Sequence, residues 1–511
     1  MTSASQAQKP ELEVVPVYFG LLWLWGMFFS RVHLWWNEAS YYTYGWAVPL
    51  LACLLMYRAD KSTLMVHGKS KLGGLRHFFG LILIYASIRL VAEPDPFWRL
   101  PLWLEAMILI LLTLSVLAWV YGRGVFRVFL IPFLFLLTVL PWPAVLETKL
   151  VQLMMDLVTA STAEALLWVG HPAIVVGHTL NVGQESVLIS NTCSGIRSFQ
   201  GLLAAALFLV AYLQLSFRGS VATIVTAILI AFFFNLCRAF ALSLISIEGG
   251  DQVYARWHDP VGYISVTLSL LSIIFFARCF RSNAGFSLAH RSLPDIRGLS
   301  LRLSLLVLGC CLLPEIATQV WFRFVVKTEP VSHWHIQWPV DTKPLEEPVR
   351  DVLLFDYGEI GQMVLSDDNL VRVIHFGYDG SSPGASICSR NHDPATCMGH
   401  LGTKLFDGVH DVTCEVADAR LTFRHYVAGK QDSTGRFSLH VWWCPWVVDM
   451  RSGAFTDLGG SLLDKGRRFL SGKLSFERKV LLVLLEGPRN TVEAETGLRE
   501  VVQKIVRSGR E

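Results

Sequence analysis

Long apolar segments recur through the first 321 residues, and the loops between them alternate in charge. The hydrocarbon core of a bilayer is about 30 Å thick, which a helix of roughly 20 apolar residues spans. Lipid offers the backbone no hydrogen-bonding partner, so such segments must be helical. Candidate spans fall at residues 14–30, 41–57, 77–92, 101–120, 125–140, 197–216, 220–240, 259–277 and 303–321. Hydrophobic residues make up 53% of the chain and charged ones 17%, which excludes a soluble protein of 511 residues. A net charge of +3 gives no nucleic-acid footprint. No small-residue cleavage site follows residues 14–30, so this segment is expected to stay as an anchor.

Basic residues occupy alternate loops. Arg58, Lys61, Lys69, Lys71 and Arg76 follow the second span, and Arg123 and Arg127 follow the fourth. Arg218 separates the sixth and seventh, and Arg278, Arg281, Arg291, Arg297 and Arg302 follow the eighth. The intervening loops carry Glu38, Glu93, Asp95, Glu248 and Asp251. The positive-inside rule then puts the basic loops and the N-terminus in the cytoplasm, and nine spans put residues after 321 outside. Residues 142–192 break the pattern. Residues 145–169 have helical periodicity interrupted by Glu147, Lys149, Asp156 and Glu164, as in an interfacial or partly embedded helix on the outer face. Residues 174–190 read as a short hairpin with glycines at its turns.

Three polar residues from different elements fall at that same outer face. Cys193 precedes the sixth span, Arg238 lies near the outer end of the seventh, and His258 lies at the outer start of the eighth. A free thiol has a pKa near about 8.5, so a nucleophilic cysteine needs help to ionise. A following helix N-terminus would supply it for Cys193, with Thr192 or Ser194 as a cap. Gly195 would let a substrate backbone approach closely. His258 has the chemistry to take a proton from the thiol and return it to a leaving amine. Arg238 stays protonated and suits a carbonyl, carboxylate or oxyanion. Each residue also has an ordinary reading: a packed cysteine, a surface histidine, a snorkelling arginine. An arginine inside an apolar span, however, costs about 2.5–3.5 kcal/mol on insertion scales and tends to be functional. Cys237, beside Arg238, is the rival thiol, but it lies inside an apolar run and lacks the Ser-Gly that follows Cys193.

Cys193-Ser194-Gly195-Ile196-Arg197-Ser198 resembles the nucleophile motif of the exosortase and archaeosortase family. Asn235-x-x-Arg238 resembles that family's second motif, and His258-x-x-x-Gly262 its third. The likeness covers about residues 75–280. It implies a membrane-embedded cysteine transpeptidase with Cys193 as nucleophile, His258 as acid and base, and Arg238 as stabiliser, and no cofactor or metal. It also implies substrates with PEP-CTERM-like C-terminal sorting tails, an acceptor nucleophile that the sequence does not identify, and a link to exopolysaccharide machinery.

Residues 322–511 are expected to form a separate, periplasmic α+β domain. Alternation around Leu421–Arg424 and Phe437–Val441 marks strands, and residues 478–486 are another. Asn490 and Glu493 would cap a last helix that buries Val501, Val502 and Ile505. An outside location favours disulfides among Cys388, Cys397, Cys414 and Cys444 over a zinc site from Cys388, His392, Cys397 and His400. The segment His392–Met398 weakly resembles the periplasmic partner domain that accompanies exosortases. The whole chain thus reads as a polytopic α-helical membrane protein of about nine spans (1–321) with a soluble domain (322–511). The rival reading is a noncatalytic component of exopolysaccharide export, or a transporter. A transporter should carry its polar residues at mid-membrane, usually with internal repeats.

Overall fold

The structure, a computed structural model, describes residues 9–38, 40–59, 71–93, 98–183, 185–188, 195–280, 300–325, 334–339, 341–345, 349–350, 353, 355–365, 369–378, 405–416, 419–432, 435–447, 478–486 and 491–508. Two compact units emerge, one of residues 1–175 and 180–323 and the other of residues 176–179 and 324–511.

The first unit is helical: α1 Lys9–Glu38, α2 Val48–Arg58, α3 Lys71–Ala92, α4 Arg99–Tyr121, α5 Val125–Leu136, α6 Ala144–Trp168, α7 Ile196–Leu213, α8 Phe217–Cys279 and α9 Leu301–Val325. Three short strands, β1 Ile174–Val176, β2 Thr179–Val182 and β3 Glu185–Leu188, form a meander after α6. Its turns use Gly177 and Gly183, both at positive φ. Helix α8 consists of two limbs, Phe217–Gly250 and Gln252–Cys279. Gly250 separates them with φ 71° and ψ −177°, a conformation open in practice only to glycine.

Among the described residues eight helices are long and apolar enough to cross a membrane, against the nine spans expected. Two expected spans are interrupted. Residues 41–57 begin as a 3-10 helix, Ser40–Trp46, and become α-helical only at Val48. Residues 125–140 form α5 and a 3-10 turn, Leu137–Val139, with Pro132 inside the helix. The α-helical part of the first, Val48–Arg58, rises only about 16 Å at about 1.5 Å per residue.

Conversely α6, read from sequence as interfacial or partly embedded, qualifies as a span by length and composition. Its packing partners all belong to one end of the bundle. Glu147 in its first turn meets Arg99, the first residue of α4, at 3.0 Å. Val151, Met154 and Met155 cluster with Ile196, the first residue of α7. Val158 and Leu166 cluster with β2, β3 and Ala239. A crossing helix would change partners from one end of the bundle to the other, and α6 does not.

A charged cluster that sequence reading overlooked ties α9 to the bundle. Arg31 of α1 bonds Glu105 of α4 and Glu315 of α9, the latter at 3.0 Å. Arg89 of α3 bonds Glu315 at 2.9 Å and Glu93 at 2.6 Å. The Tyr85 hydroxyl reaches both Glu105 and Glu315. Arg89, Glu105 and Glu315 are all buried. In lipid each charge alone would be costly, so mutual pairing is the condition for their presence.

The second unit is an antiparallel sheet: β5 Lys343–Pro344, β6 Tyr357–Val364, β7 Leu370–Tyr378, β8 Leu405–Val416, β9 Ala419–Asp432, β10 Gly435–Val447 and β11 Arg478–Glu486, in the order β5-β6-β7-β11-β10-β9-β8. Helix α10, Thr491–Ile505, covers one face, and β4 Trp334–Ile336 pairs with β12 Val506–Ser508. Alternate residues such as Val412, Phe423, Trp442 and Val483 meet Leu498, Val501, Val502 and Ile505 in one core. The strands and the last helix therefore lie where period-2 and period-3.6 patterns predict them.

The disulfide expectation fails at two of its four cysteines. Cys414 and Cys444 are free, buried thiols on β8 and β10. The intervening β9 separates those strands by about 10 Å, beyond disulfide reach. Burial raises the Cys414 thiol to about 11, and burial plus neighbouring Cys414 raises Cys444 further. Cys388, His392, Cys397 and His400 lie outside the described residues.

Candidate active site

The two limbs of α8 bring Arg238 and His258 together. Arg238 Nη2 stands 3.0 Å from His258 Nε2. Each residue lies 21 positions from its limb's far terminus, Phe217 or Cys279. At about 1.5 Å per residue that is about 30 Å, one hydrocarbon thickness. The pair therefore sits at the level of one membrane face, and the helical hairpin continues past it to Gly250.

A guanidinium only donates, so Nε2 of His258 accepts and carries no proton. The Nδ1–H then donates to Asp259 Oδ1 at 2.9 Å. This fixes a neutral imidazole whose basic nitrogen faces Arg238 and whose other nitrogen is oriented by a carboxylate. Asp259 adjoins His258 in the sequence, and sequence reading gave it no role. The ring of Tyr254 stands 5.8 Å from that of His258.

The glycines of the motifs explain how the elements fit. Gly195 caps α7 at φ 82° and ψ 4°, a left-handed conformation. A Cβ there would overlap the side-chain amide of Asn235, which is buried. Asn235 lies one helical turn before Arg238 on the same limb. A Cβ on Gly262 would stand 3.5 Å from Arg238 Nε, so this glycine lies directly against the guanidinium. The three motifs thus interlock, Gly195 on Asn235 and Arg238 between His258 and Gly262. Cys193, with Asn191, Thr192 and Ser194, lies outside the described residues. The rival thiol Cys237 is exposed, one turn from exposed Phe233 on the outward face of the helix.

Several arginines lie at the opposite end of the bundle. Arg58 lies 3.9 Å over the ring of Tyr212, near the end of α7, and shares a cavity with Arg127. Arg218 and Arg278 lie at the far termini of the α8 limbs. Among the described residues no group of three or more His, Cys, Asp or Glu is disposed to hold a metal ion.

A helical membrane unit with a Arg–His–Asp chain at one face and basic residues at the other defines a polytopic membrane protein with a surface-level polar site. Residues 35–276 match the family described as Transmembrane exosortase (Exosortase_EpsH). This part of the chain is an exosortase-family transmembrane domain, and the family is a group of cysteine-type transpeptidases. No curated protein and no solved structure matches the chain. The match ends before α9, so the β-rich second unit lies outside it.

Proposed function

We propose that this protein is a membrane-embedded cysteine transpeptidase that cuts C-terminal PEP-CTERM-like sorting tails at the outer face of the inner membrane through an acyl-enzyme on Cys193. The observation that carries the reading is the Arg238–His258–Asp259 chain at membrane-surface level, joined by Asn235 to the Gly195 turn. Cys193 stands two residues before Gly195 in the sequence.

His258 Nε2, freed from Arg238, takes the thiol proton of Cys193. The thiolate attacks the scissile carbonyl, forming a C–S bond. Arg238, released toward the substrate, steadies the oxyanion. As the C–N bond breaks, the imidazolium returns the proton to the leaving amine. An acceptor nucleophile then takes the acyl group and regenerates the thiol. Asp259 keeps the imidazole in the tautomer that begins this cycle.

The orientation proposed has the N-terminus and the Arg58, Arg127, Arg218 and Arg278 end in the cytoplasm, following the positive-inside rule. The second unit is then periplasmic, a domain for substrate presentation or polysaccharide handling. The decisive experiment is isolation of a thioester between Cys193 and a processed tail from cells expressing both proteins. A trapped adduct on Cys237, or unimpaired processing by Cys193→Ala, would sink the assignment. If no cysteine change affects processing, a noncatalytic role in exopolysaccharide export takes its place.

A further inference from the structure

Residues 137–143 join α5 to α6, and Pro141 and Pro143 among them have no backbone N–H to donate. Buried backbone outside regular helix or sheet must find other partners. Here side chains supply them. The Tyr44 hydroxyl donates to the Thr138 carbonyl at 2.9 Å, and Trp36 Nε1–H to the Val139 carbonyl at 3.2 Å. Trp103 Nε1–H donates to the Pro141 carbonyl at 2.8 Å, and Arg99 donates to that of Trp142. The Trp142 N–H donates to the Tyr42 hydroxyl at 2.8 Å. Side chains from α1, the 3-10 helix Ser40–Trp46 and α4 thus converge on one irregular segment.

Glu147, in the first turn of α6, closes the network. Its carboxylate takes both arms of the Arg99 fork, Nη1 to Oε2 at 3.0 Å and Nη2 to Oε1 at 3.4 Å. It also accepts the Tyr42 hydroxyl. Tyr42 and Glu147 are both buried. A paired fork fixes orientation as well as distance, so it sets the angle at which α6 begins.

The first turns of α6 press on α7. Val151, Met154 and Met155 meet Ile196, the first residue of α7. The Trp142 ring stands edge-on to that of Phe199, with centroids 6.1 Å apart. From α8, Asn235 fills the space beside Gly195. The start of α7 is therefore gripped between the anchored end of α6 and the limb that carries Arg238. We infer that Glu147, with Arg99 and Tyr42, is a positioning residue for Cys193, holding the start of α7 where the thiol meets the Arg238–His258 pair. The inference rests on the transpeptidase reading above. A misplacement of about 1 Å in a reacting group can cost about 100-fold in rate.

The test uses full-length protein in detergent and two readouts. One is cleavage of a cognate tail, resolved into kcat and KM. The other is alkylation of Cys193 by iodoacetamide from about pH 6 to about pH 9, around an ordinary thiol pKa, read on its peptide by mass spectrometry. Glu147→Gln keeps the side-chain shape but loses the charged fork, and Tyr42→Phe removes one hydroxyl. Each should lower kcat about tenfold or more with KM changed less than about twofold, and displace the alkylation profile of Cys193. Glu315→Gln breaks a buried pairing that involves neither α6 nor α7, so it should lower the melting temperature and leave the profile in place. An equal displacement in Glu315→Gln would mean general loosening and overturn the inference. An unmoved profile or an unchanged kcat in Tyr42→Phe would overturn it too, and that variant decides the matter if Glu147→Gln does not fold. Cleavage that persists in Cys193→Ala overturns the reading beneath it. Cleavage lost in Cys193→Ala but undiminished in Glu147→Gln overturns this inference alone.

Discussion

The side-chain amide of Asn235 occupies the volume that a side chain at Gly195 would need. The left-handed backbone at Gly195 adds about 1–2 kcal/mol against any other residue. Gly195→Ala should therefore lower tail cleavage at least tenfold while the protein still inserts in the membrane. Asn235→Ala opens the space but leaves the backbone cost, so Gly195→Ala should lose less in the Asn235→Ala background than in the unaltered protein. Two single effects that simply add in this cycle would contradict the packing relation.

His258 has one nitrogen on Arg238 and the other on Asp259, so each neighbour should have its own kinetic signature. Arg238→Lys keeps the charge but not the planar fork, and should lower cleavage strongly. Asp259→Asn leaves an amide that can orient the imidazole in the wrong tautomer. Because Asp259 is largely exposed, a loss of several-fold rather than several orders is expected. Cys193→Ala should abolish cleavage, and Cys237→Ala, on the outward face, should leave it intact. Initial rates with a purified cognate tail substrate separate these cases.

The spans were legible because length and apolarity suffice to find them. The 3-10 start before α2 and the 3-10 turn that ends α5 were not, since aromatic residues in the first and apolar ones in the second let each segment read as a continuous span. The meeting of Arg238 and His258 followed from motifs at matching depth on paired limbs. The role of Gly195 did not: sequence gives its conformational freedom but not the Asn235 amide against it. Arg31, Arg89, Glu105 and Glu315 were missed for a related reason. Each is a lone charge in an apolar run, and the partners Arg31 and Glu315 lie 284 positions apart. Disulfides at Cys414 and Cys444 were inferred from compartment alone, which says nothing of the strand that separates them.

The buried cluster predicts an asymmetry in stability. Glu315→Gln removes the shared partner of Arg31 and Arg89 and leaves guanidinium charge poorly compensated in lipid. Breaking a buried ion pair from one side typically costs about 3–5 kcal/mol. The melting temperature of the purified protein should fall markedly. Glu93→Gln, at the more exposed edge, should have a much smaller effect. A joint Arg31→Met, Arg89→Met, Glu105→Leu and Glu315→Leu variant should recover much of the loss, because it removes the charges together. Equal destabilisation by Glu93→Gln and Glu315→Gln would contradict this ordering.

The sheet domain should lose stability in mild acid. Burial first, then neighbouring His440 and His410, hold His425 at about 3. Burial and the Lys479 charge hold His375 at about 3 as well. Both would titrate near about 6.5 in the unfolded chain. Below that value the unfolded state binds protons that the folded state refuses, so unfolding is increasingly favoured as pH falls. The contribution is fully present above about 6.5 and is lost progressively down to about 3. His425→Leu removes one of the two groups and should flatten the dependence, whatever it does to stability at neutral pH. The buried free thiols of Cys414 and Cys444 provide the readout in the full-length protein. Their reaction with dithiodipyridine, which labels thiols even in acid, should begin at lower urea concentrations at pH 5 than at pH 7.5. An unchanged urea midpoint across that range would mean that His425 and His375 take up protons as readily in the folded domain as in the unfolded chain.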